Sequence, residues 1–481
     1  MIRAWYHGCT CRKWRPESRV LPTRLVQVWR PRQQGFPDTC ARLCDTGNLL
    51  VESTSYVTLS HRWGPDTFLK LQKSNQRVFQ EGIPVDQLLN VFKDALYIAA
   101  ELNIHFIWID SLCIIQDCQE DWTRESKRMG EVYQYGECNT AATGYDHGNQ
   151  SLFGTRDAIP FQQFPVYIDC YFRGNPGQHF KGFYVKVNER GFRDAIINGP
   201  LNSRGWVAQE WALSPAVLHY TPEEIWWDCD DRIACETLPS GAENWDPLEL
   251  CTNRRIRSLI DGNKEPIYRF WRSFIQLYAH TETTFEKDRF PAVAGIARIL
   301  GNMLHEGFIA GIWEGDIVRS IVWECRDELS IPSTHLAPSW SWACVCGRIS
   351  GWGFETSSLA HQLGCVSIQV LSDIDGFTSD LEATSLEKSN VRALAIQGPL
   401  RKLPHDLSVE IGEGINGVRY VDVIEDRYRM NLGLQDGSIP DEQAWRLEGS
   451  THLLPLAKDE ESVYGLLIQH VPEAPDPNTS R

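Results

Sequence analysis

The chain has 481 residues, with 47 basic and 63 acidic side chains, so its formal net charge is 47 − 63 = −16. Hydrophobic residues make up 42% and charged residues 23%, which is ordinary for a globular protein and excludes a disordered chain or a coiled coil. At about 100–200 residues per domain, the length predicts two to four domains. The acidic balance argues against a general nucleic-acid-binding protein, because phosphate binding needs a positive surface.

The first 50 residues contain scattered prolines and arginines, which predict an irregular segment. Within residues 1–35, eight basic side chains stand against one acid, giving a local charge of 8 − 1 = +7. We expect a solvated N-terminus here, with an arm for anionic partners as the alternative. The start lacks an apolar stretch of signal-peptide length, and no run of about 18 apolar residues occurs elsewhere. The sequence therefore predicts a cytoplasmic protein without a membrane span.

The chain contains 15 cysteines, which an intracellular location would keep mostly reduced. Two spacings invite comparison with zinc sites, namely Cys9-x-Cys11 together with Cys40-x3-Cys44, and Cys113-x4-Cys118. Neither has the paired Cys-x2-Cys spacing of common structural zinc sites, and His7 is the one further ligand type near the first. We therefore predict no metal site and no cofactor.

Strand and helix patterns alternate over residues 56–144. Short β-prone runs rich in apolar residues predict buried strands, and apolar residues spaced by three and four predict helices. The predicted order is strand, helix, strand, helix, strand, at residues 56–60, 88–102, 105–109, 121–136 and 139–144. With short links between them, these elements predict an α/β fold built on a parallel sheet flanked by helices.

After about residue 147 the pattern becomes mixed. It predicts a hairpin at residues 217–229, helices at 267–279 and 293–304, and late strands at 391–397, 418–424 and 463–468. A segment rich in Ser, Asp, Glu and Thr at 372–391 predicts a long loop. The predicted organisation is an irregular basic segment (1–50), an α/β domain (51–212), a mixed α+β region (213–470) and a polar tail (471–481).

Ligands of parallel α/β sheets bind beyond the carboxyl ends of the strands, which selects two loops here. The ligand-binding candidates in these loops are Ser60, His61, Arg62, Trp63, Ser111 and Cys113. Asp110, which opens the second loop, is a candidate catalytic group, with capping of the next turn as the alternative. Cys113 paired with a histidine would make a thiol nucleophile, although its apolar neighbours favour a buried structural thiol.

The second predicted helix carries an acid on its apolar face. Trp122, Glu125, Met129 and Tyr133 share that face by their spacing. A carboxylate there is costly unless it is paired or used in chemistry. Glu125 is therefore the leading candidate for a catalytic carboxylate, with Trp122 as a ligand-binding neighbour, and a salt bridge to a nearby arginine is the alternative.

Several motifs, in order along the chain, resemble the fungal heterokaryon-incompatibility (HET) domain. They are Leu21–Leu25, Tyr56–Gly64, Trp108–Asp117, Asp121–Trp122, Met129, Tyr133, and Arg204–Trp206 with Gln209–Glu210. Further segments resemble the region that often follows this domain, namely Lys287–Arg289, Gly295–Ala297, Ala310–Glu314 and Pro338–Ala343. Arg62 departs from the family pattern, in which a cysteine commonly stands at this position. The change removes a thiol and adds a cation that favours an anionic ligand.

The resemblance implies an intracellular fungal protein of non-self recognition and regulated cell death. HET domains are similar, at a distance, to Toll/interleukin-1 receptor (TIR) domains, which implies a TIR-like sheet. Some TIR domains cleave NAD+ at the nicotinamide–ribose bond with a helix-borne glutamate, and Glu125 is similar in placement. A carboxylate beside the ribose would stabilise the positive charge that develops there. Trp63 would stack on a ring and Arg62 would bind a phosphate.

Three functions remain open at this point. The first is a signalling module that works by self-association or by binding protein partners, without turnover. The second is an enzyme that consumes NAD+ or a related nucleotide as substrate, and the third is an enzyme of secondary metabolism on a recruited HET scaffold. A solvent-reachable Glu125 near Ser60 or Asp110 would favour an enzyme. A buried Glu125 paired with Arg62 or Arg128, beside an exposed apolar patch, would favour association.

Overall fold

The structure is a computed structural model of the 481-residue chain. It describes residues 1–11, 19–30, 39–64, 67–154, 166–172, 175–184, 192–241, 256, 259, 263–321, 323–325, 332, 336–337, 341–350, 367–372, 391–397, 401–402, 409–413, 419–425, 428–432, 451–458 and 463–469. The predicted polar tail at 471–481 and most of the predicted loop at 372–391 lie outside these residues. The chain divides into two compact units, the first formed by residues 1–270, 281–284 and 291–303 and the second by residues 271–280, 285–290 and 304–481.

The α-helices are α1 (Ile2–Gly8), α2 (Gln76–Glu81), α3 (Asn90–Glu101), α4 (Asp110–Cys113), α5 (Gln119–Tyr135), α6 (Gly205–Leu213), α7 (Lys264–Tyr278), α8 (Pro291–Leu304) and α9 (Ile317–Ser320). The strands up to residue 235 are β1 (Arg24–Trp29), β2 (Cys40–Asp45), β3 (Val57–Ser60), β4 (Phe106–Trp108), β5 (Asn139–Ala141), β6 (Val166–Phe172), β7 (Asn175–Tyr184), β8 (Ala216–Tyr220), β9 (Ile225–Cys229) and β10 (Ile233–Cys235). The later strands are β11 (Phe308–Ile309), β12 (Ile312–Trp313), β13 (Glu324–Cys325), β14 (Ile349–Ser350), β15 (Ser367–Ser372), β16 (Val391–Gln397), β17 (Arg401–Lys402), β18 (Val409–Glu413), β19 (Arg419–Glu425), β20 (Tyr428–Leu432), β21 (Thr451–Lys458) and β22 (Val463–Gln469).

The first unit is built on an eight-stranded sheet with the order β10-β9-β8-β5-β3-β4-β1-β2. The four central strands, β8, β5, β3 and β4, are parallel neighbours. Antiparallel pairs extend both edges, β1 and β2 beside β4 and β9 and β10 beside β8. Every residue of β3, β5 and β8 is buried, as expected for strands covered on both faces. The predicted α/β fold with a parallel sheet flanked by helices is confirmed.

The strand order reverses direction at β3, which lies between β4 and β5. The chain leaves β3 through α3 to reach β4, and it returns through α5 to reach β5 on the other side. Because such crossovers are right-handed, opposite directions place α3 and α5 on opposite faces of the sheet. The reversal between β3 and β5 is the point at which doubly wound sheets bind ligands.

The prediction of an irregular segment over residues 1–50 is wrong for β1 and β2. Leu25, Val26 and Val28 are buried in β1, but the charged Arg24 is also buried there, which breaks the alternation that marks a strand. The sheet also continues past the predicted boundary at residue 212, because β8, β9 and β10 follow it. Their hairpin at residues 217–229 is confirmed as the antiparallel pair of β8 and β9.

The region after residue 213 combines helices with antiparallel strands, as predicted. Helices α7 and α8 occupy the two predicted helical segments, and β16, β19 and β22 occupy the three predicted late strands. These strands pair antiparallel in small sheets of two or three strands. None of the described helices is long and apolar enough to cross a membrane.

An arginine lies inside the aromatic core of the second unit. Arg289 is 1% exposed, and its guanidinium lies 5.7 Å and 5.3 Å from the ring centroids of Tyr278 and Trp342. It donates hydrogen bonds to the carbonyls of Ala279 (3.2 Å) and Val345 (2.8 Å). Backbone acceptors and aromatic faces together compensate for the loss of water around this cation.

Three helices of the first unit meet at small residues. A Cβ added to Gly130 in α5 would lie 2.9 Å from the Cα of Gly295 in α8. The side-chain carbonyl of Gln209 in α6 accepts a hydrogen bond from the Gly295 N–H (2.9 Å). Only residues without a side chain allow these backbones to approach so closely, so α8 packs against two helices of the predicted α/β domain.

We expect Gly295→Ala to lower the free energy of unfolding by about 1–2 kcal/mol, despite the better helix propensity of alanine. The new Cβ would lie 2.4 Å from Gln209 Oε1, so either the amide or the helix must move. Gly47→Ala is the control, since a Cβ there meets nothing within 4 Å. Urea unfolding measures both, and equal midpoints for the two variants would contradict the close helix contact.

Candidate functional site

The loops that follow β3 and β4 contact each other, as predicted. Trp63 Nε1 donates a hydrogen bond to Asp110 Oδ2 (3.0 Å), and His61 Nδ1 lies 3.9 Å from Asp110 Oδ1. Asp110 Oδ1 also accepts a bond from the Ser111 N–H (2.6 Å) at the start of α4. Asp110 therefore bonds to its own neighbour at the start of α4 and faces the residues after β3, while its catalytic role stays a prediction.

An acid that the sequence analysis did not select lies beside the end of β3. Glu210 in α6 is 3% exposed and accepts a hydrogen bond from Ser60 Oγ. Ser60 Oγ in turn accepts a bond from Asn139 Nδ2 of β5 (2.9 Å), which places this contact where the strand order reverses. Burial raises the pKa of Glu210 to about 7, although the charge of Arg204 and bonds from Ser60 and Tyr133 oppose the rise.

His61 lies below the surface between these acids. Its ring packs edge-on against Phe92, with centroids 4.8 Å apart, and it is 2% exposed. Burial lowers the pKa of His61 to about 4 in spite of the nearby Asp110, so the ring is neutral at pH 7. His61 Nε2 and Ser111 Oγ are both buried, and neither makes a hydrogen bond within the described part of the chain. Such buried polar atoms mark places where a bound molecule or water completes the bonding.

Two half-buried arginines adjoin the same loop. Arg204 donates to the carbonyl of His61, and Arg62 donates to the carbonyl of Pro200 and to Ser203 Oγ (both 3.2 Å). Lys70 Nζ lies 5.2 Å from the ring centroid of Trp63. These groups, called the entrance residues here, combine three cations with an indole ring on or beside the loop after β3, which favours an anionic aromatic ligand.

Glu125 has a different environment. It is 2% exposed, and its Oε1 lies 3.1 Å from Arg124 Nε and 3.9 Å from an Arg24 nitrogen. Arg24 also forms an ion pair with Asp121. This is the salt bridge that the sequence analysis left as the alternative, although with arginines other than Arg62 or Arg128. The catalytic role of Glu125 stays a prediction.

The remaining candidates from the sequence are Cys113 and Trp122. Cys113 is 1% exposed, burial raises its pKa to about 12, and its carbonyl accepts a hydrogen bond from Arg24 Nε (2.7 Å). A protonated, enclosed thiol fits the structural reading rather than a nucleophile. Trp122 is half-buried on α5. Glu210 was not selected from the sequence. It belongs to the motif Arg204–Glu210, which was noted only for its family resemblance, because the motif alone has no periodicity that marks a buried acid.

We expect Glu210→Gln to change how stability depends on pH. The pKa of the folded carboxyl is about 7 against an ordinary 4.5, so the folded chain binds more protons between these values. The stabilising contribution of the protonated acid is thus present below pH 4.5 and is lost, by about 3 kcal/mol, as the pH rises through 7. Glutamine removes this loss, which urea unfolding from about pH 5 to 8 measures.

His61→Gln should change the pH dependence of stability in the direction opposite to Glu210→Gln. The lowered pKa of His61 makes its contribution present above pH 6.5 and lost as the pH falls toward 4. The two pH windows overlap, so the two variants should change the slope of stability against pH in opposite directions between about pH 4.5 and 6.5. An unchanged slope between pH 5 and 8 in Glu210→Gln would contradict the buried, protonated state of Glu210.

Arg24→Met should destabilise the first unit by about 3–5 kcal/mol, because it leaves Asp121 and Glu125 buried without their shared cation. Arg124→Met is the matched control. Its side chain is 51% exposed, so we expect a loss of about 1 kcal/mol or less. Urea unfolding of the two variants measures both losses of stability. Equal losses would contradict the prediction that the buried Arg24 stabilises the chain more than the exposed Arg124.

Comparison with known proteins gives one family match. Residues 56–210 match the family model described as "Heterokaryon incompatibility protein (HET)". Neither the curated proteins nor the solved structures gave a match. The matched segment begins one residue before β3 and ends at Glu210, so it contains the whole polar network described above. Residues 56–210, about a third of the chain, are therefore similar to the heterokaryon incompatibility (HET) family.

Proposed function

We propose that the chain is a cytoplasmic signalling protein of fungal non-self recognition and regulated cell death, and that its HET domain binds and cleaves an anionic nucleotide of the NAD+ class. The observation that carries the proposal is the position of Glu210. This acid, with its pKa raised to about 7, contacts Ser60 at the point where the strand order reverses. A carboxyl that exchanges its proton near neutral pH is suited to general acid–base work.

The entrance residues supply the binding groups for such a ligand. Trp63 offers an indole face for stacking, while Arg62 and Arg204 offer guanidinium groups for the phosphates. All three are half-buried, so each retains exposed surface above the buried acids. The nearby Asp110, whose side chain is 17% exposed, lies at the same entrance.

The proposed reaction is hydrolysis of the nicotinamide–ribose bond. As that bond breaks, its electron pair leaves with nicotinamide and positive charge develops on the ribose. Asp110 stabilises this charge, and Glu210 accepts the proton of the water that attacks the ribose carbon. His61, neutral at pH 7, adds no competing positive charge at this place. Glu125 remains the other candidate carboxylate, as the resemblance to TIR domains suggests.

The test is nicotinamide release from NAD+ by the purified chain, with Glu210→Gln and Glu125→Gln compared under the same conditions. We expect release by the wild type and a loss of about 100-fold or more in Glu210→Gln, as for removal of a general base. Glu125→Gln should retain activity if its role is the ion pair with Arg24. The reverse pattern would place the chemistry on α5, and absence of release from the wild type would reject the enzymatic proposal.

Association without turnover is the second candidate, and two observations favour it. Glu125 is buried and ion-paired, and two exposed aromatic side chains, Tyr97 (41%) and Phe153 (46%), lie together with ring centroids 5.6 Å apart. Exposed aromatic surface of this kind is typical of protein contacts. Light scattering over a range of concentrations tests it, with association expected to survive Glu210→Gln and to weaken in Tyr97→Ser/Phe153→Ser.

A further inference from the structure

Three cysteines and an aspartate lie together at the β9–β10 end of the sheet. The ligand atoms of Cys9, Cys11, Cys229 and Asp231 all lie within 4.8 Å of one another. The three cysteines are buried and Asp231 is exposed, so the group is closed on the protein side and open on one edge. None of these residues takes part in the network around Glu210.

Two short segments, distant in sequence, supply the four side chains in the same pattern. Cys9 follows α1 directly and Cys11 lies two residues later, while Cys229 ends β9 and Asp231 lies two residues later in the turn to β10. Each pair has one intervening residue, and the chain path brings the ligand atoms of both pairs together.

The fold holds both segments in place without the four side chains. Trp5 Nε1 in α1 donates to the carbonyl of Pro239 (2.6 Å), and the Cys9 N–H donates to the carbonyl of Trp5 (3.0 Å). The Cys229 N–H donates to the carbonyl of Arg232 (3.1 Å), which closes the β9–β10 turn. Backbone contacts therefore orient the ligand atoms beforehand, as a metal site requires.

We propose that Cys9, Cys11, Cys229 and Asp231 bind one structural zinc ion. Zinc is held tetrahedrally by thiolates at about 2.3 Å and by carboxylate oxygens at about 2.0–2.2 Å, so its ligand atoms lie close together, as these four do. Sulfur ligands select zinc over calcium or magnesium, which take oxygen ligands. Four protein ligands and no open position are typical of a structural site.

The surroundings of Asp231 support this assignment. Its Oδ2 accepts hydrogen bonds from the Thr10 N–H (3.3 Å) and Thr10 Oγ1 (2.5 Å), which orient the carboxylate as an outer partner of a metal ligand does. The charge of Arg232 offsets part of the negative charge of three thiolates and a carboxylate around a divalent ion.

Zinc binding would release protons. Zinc coordination breaks the S–H bond of each of the three cysteines, and three protons pass to the solvent. Zinc affinity should therefore rise with pH.

In the sequence, the nearest partners of Cys9 and Cys11 are Cys40 and Cys44. Their spacing lacks the paired Cys-x2-Cys pattern of zinc sites, so no metal was predicted. Cys40 and Cys44 lie on β2, at the opposite edge of the sheet from β10. The partners are instead Cys229 and Asp231, more than 200 residues from Cys9. The proposed ion would crosslink the N-terminal segment that contains Cys9 and Cys11 to the β9–β10 edge of the sheet.

The first experiment measures the metal content of the full chain after purification without chelator. We expect about one zinc ion per chain in the wild type and loss of most of it in Cys9→Ser/Cys11→Ser. Cys40→Ser/Cys44→Ser is the matched control, with the same number of thiols removed and zinc content unchanged. Wild-type protein that has no zinc and does not take up added zinc would overturn the proposal, as would equal loss in the control.

The second experiment begins with the wild-type chain, so its first measurement does not depend on the folding of a variant. Cobalt(II) added to the reduced wild-type chain should give thiolate-to-metal charge-transfer absorption and the visible bands of a tetrahedral site, and zinc should displace it. Thr10→Ala should weaken zinc binding by about tenfold, because it removes a hydroxyl that orients Asp231. Absence of the charge-transfer bands, or a disulfide between two of these cysteines in the freshly purified chain, would overturn the proposal.

Discussion

The hydrogen bond between Ser60 and Glu210 connects the end of the central strand to a helix 150 residues later in the chain. It joins β3, the strand at which the sheet reverses, to α6, and Asn139 extends the same network to β5. Because Ser60 and Glu210 are both almost fully buried, each needs the other as a partner. The positions of Asp110 and His61 near this bond follow from the register of β3 and β4, and Arg204 is placed by the start of α6.

Buried arginines organise the packing of both compact units. In the first unit, Arg24 on β1 joins the edge of the sheet to α5 through Asp121. In the second unit, Arg289 joins aromatic rings to backbone carbonyls, and Arg272 pairs with Asp316. A guanidinium suits this role because its five donors are spread over a plane and it stays charged in any surroundings. Buried charges with many partners specify one arrangement of their neighbours, because any other arrangement leaves them unpaired.

Glu125 and Glu210 in the α/β domain have similar burial but different neighbours, and the neighbours suit them to different roles. Glu125 and Glu210 are buried to the same extent, with 2% and 3% of their surface exposed. Glu125 contacts two arginines, which is the arrangement of a structural ion pair. Glu210 contacts hydroxyl groups, and burial raises its pKa to about 7. The second environment is the one that supports chemistry near neutral pH, which is the reason the proposed function centres on Glu210.

The sequence by itself determined the local elements and the resemblance to a family. Apolar spacing located β3, α3, β4, α5 and β5, because periods of two and of three to four residues are direct consequences of strand and helix geometry. The ordered motifs from Tyr56 to Glu210 carry the resemblance to the HET domain, whose family model matches the same residues, and the carboxyl-end rule brought Asp110 together with Trp63 and His61. Only the tertiary structure decided that Glu125 is ion-paired, that Glu210 lies against Ser60, and that Cys9 and Cys11 meet Cys229 and Asp231. Each of these contacts joins residues far apart in sequence or depends on which arginine lies within reach, and neither property leaves a periodic trace in a single sequence.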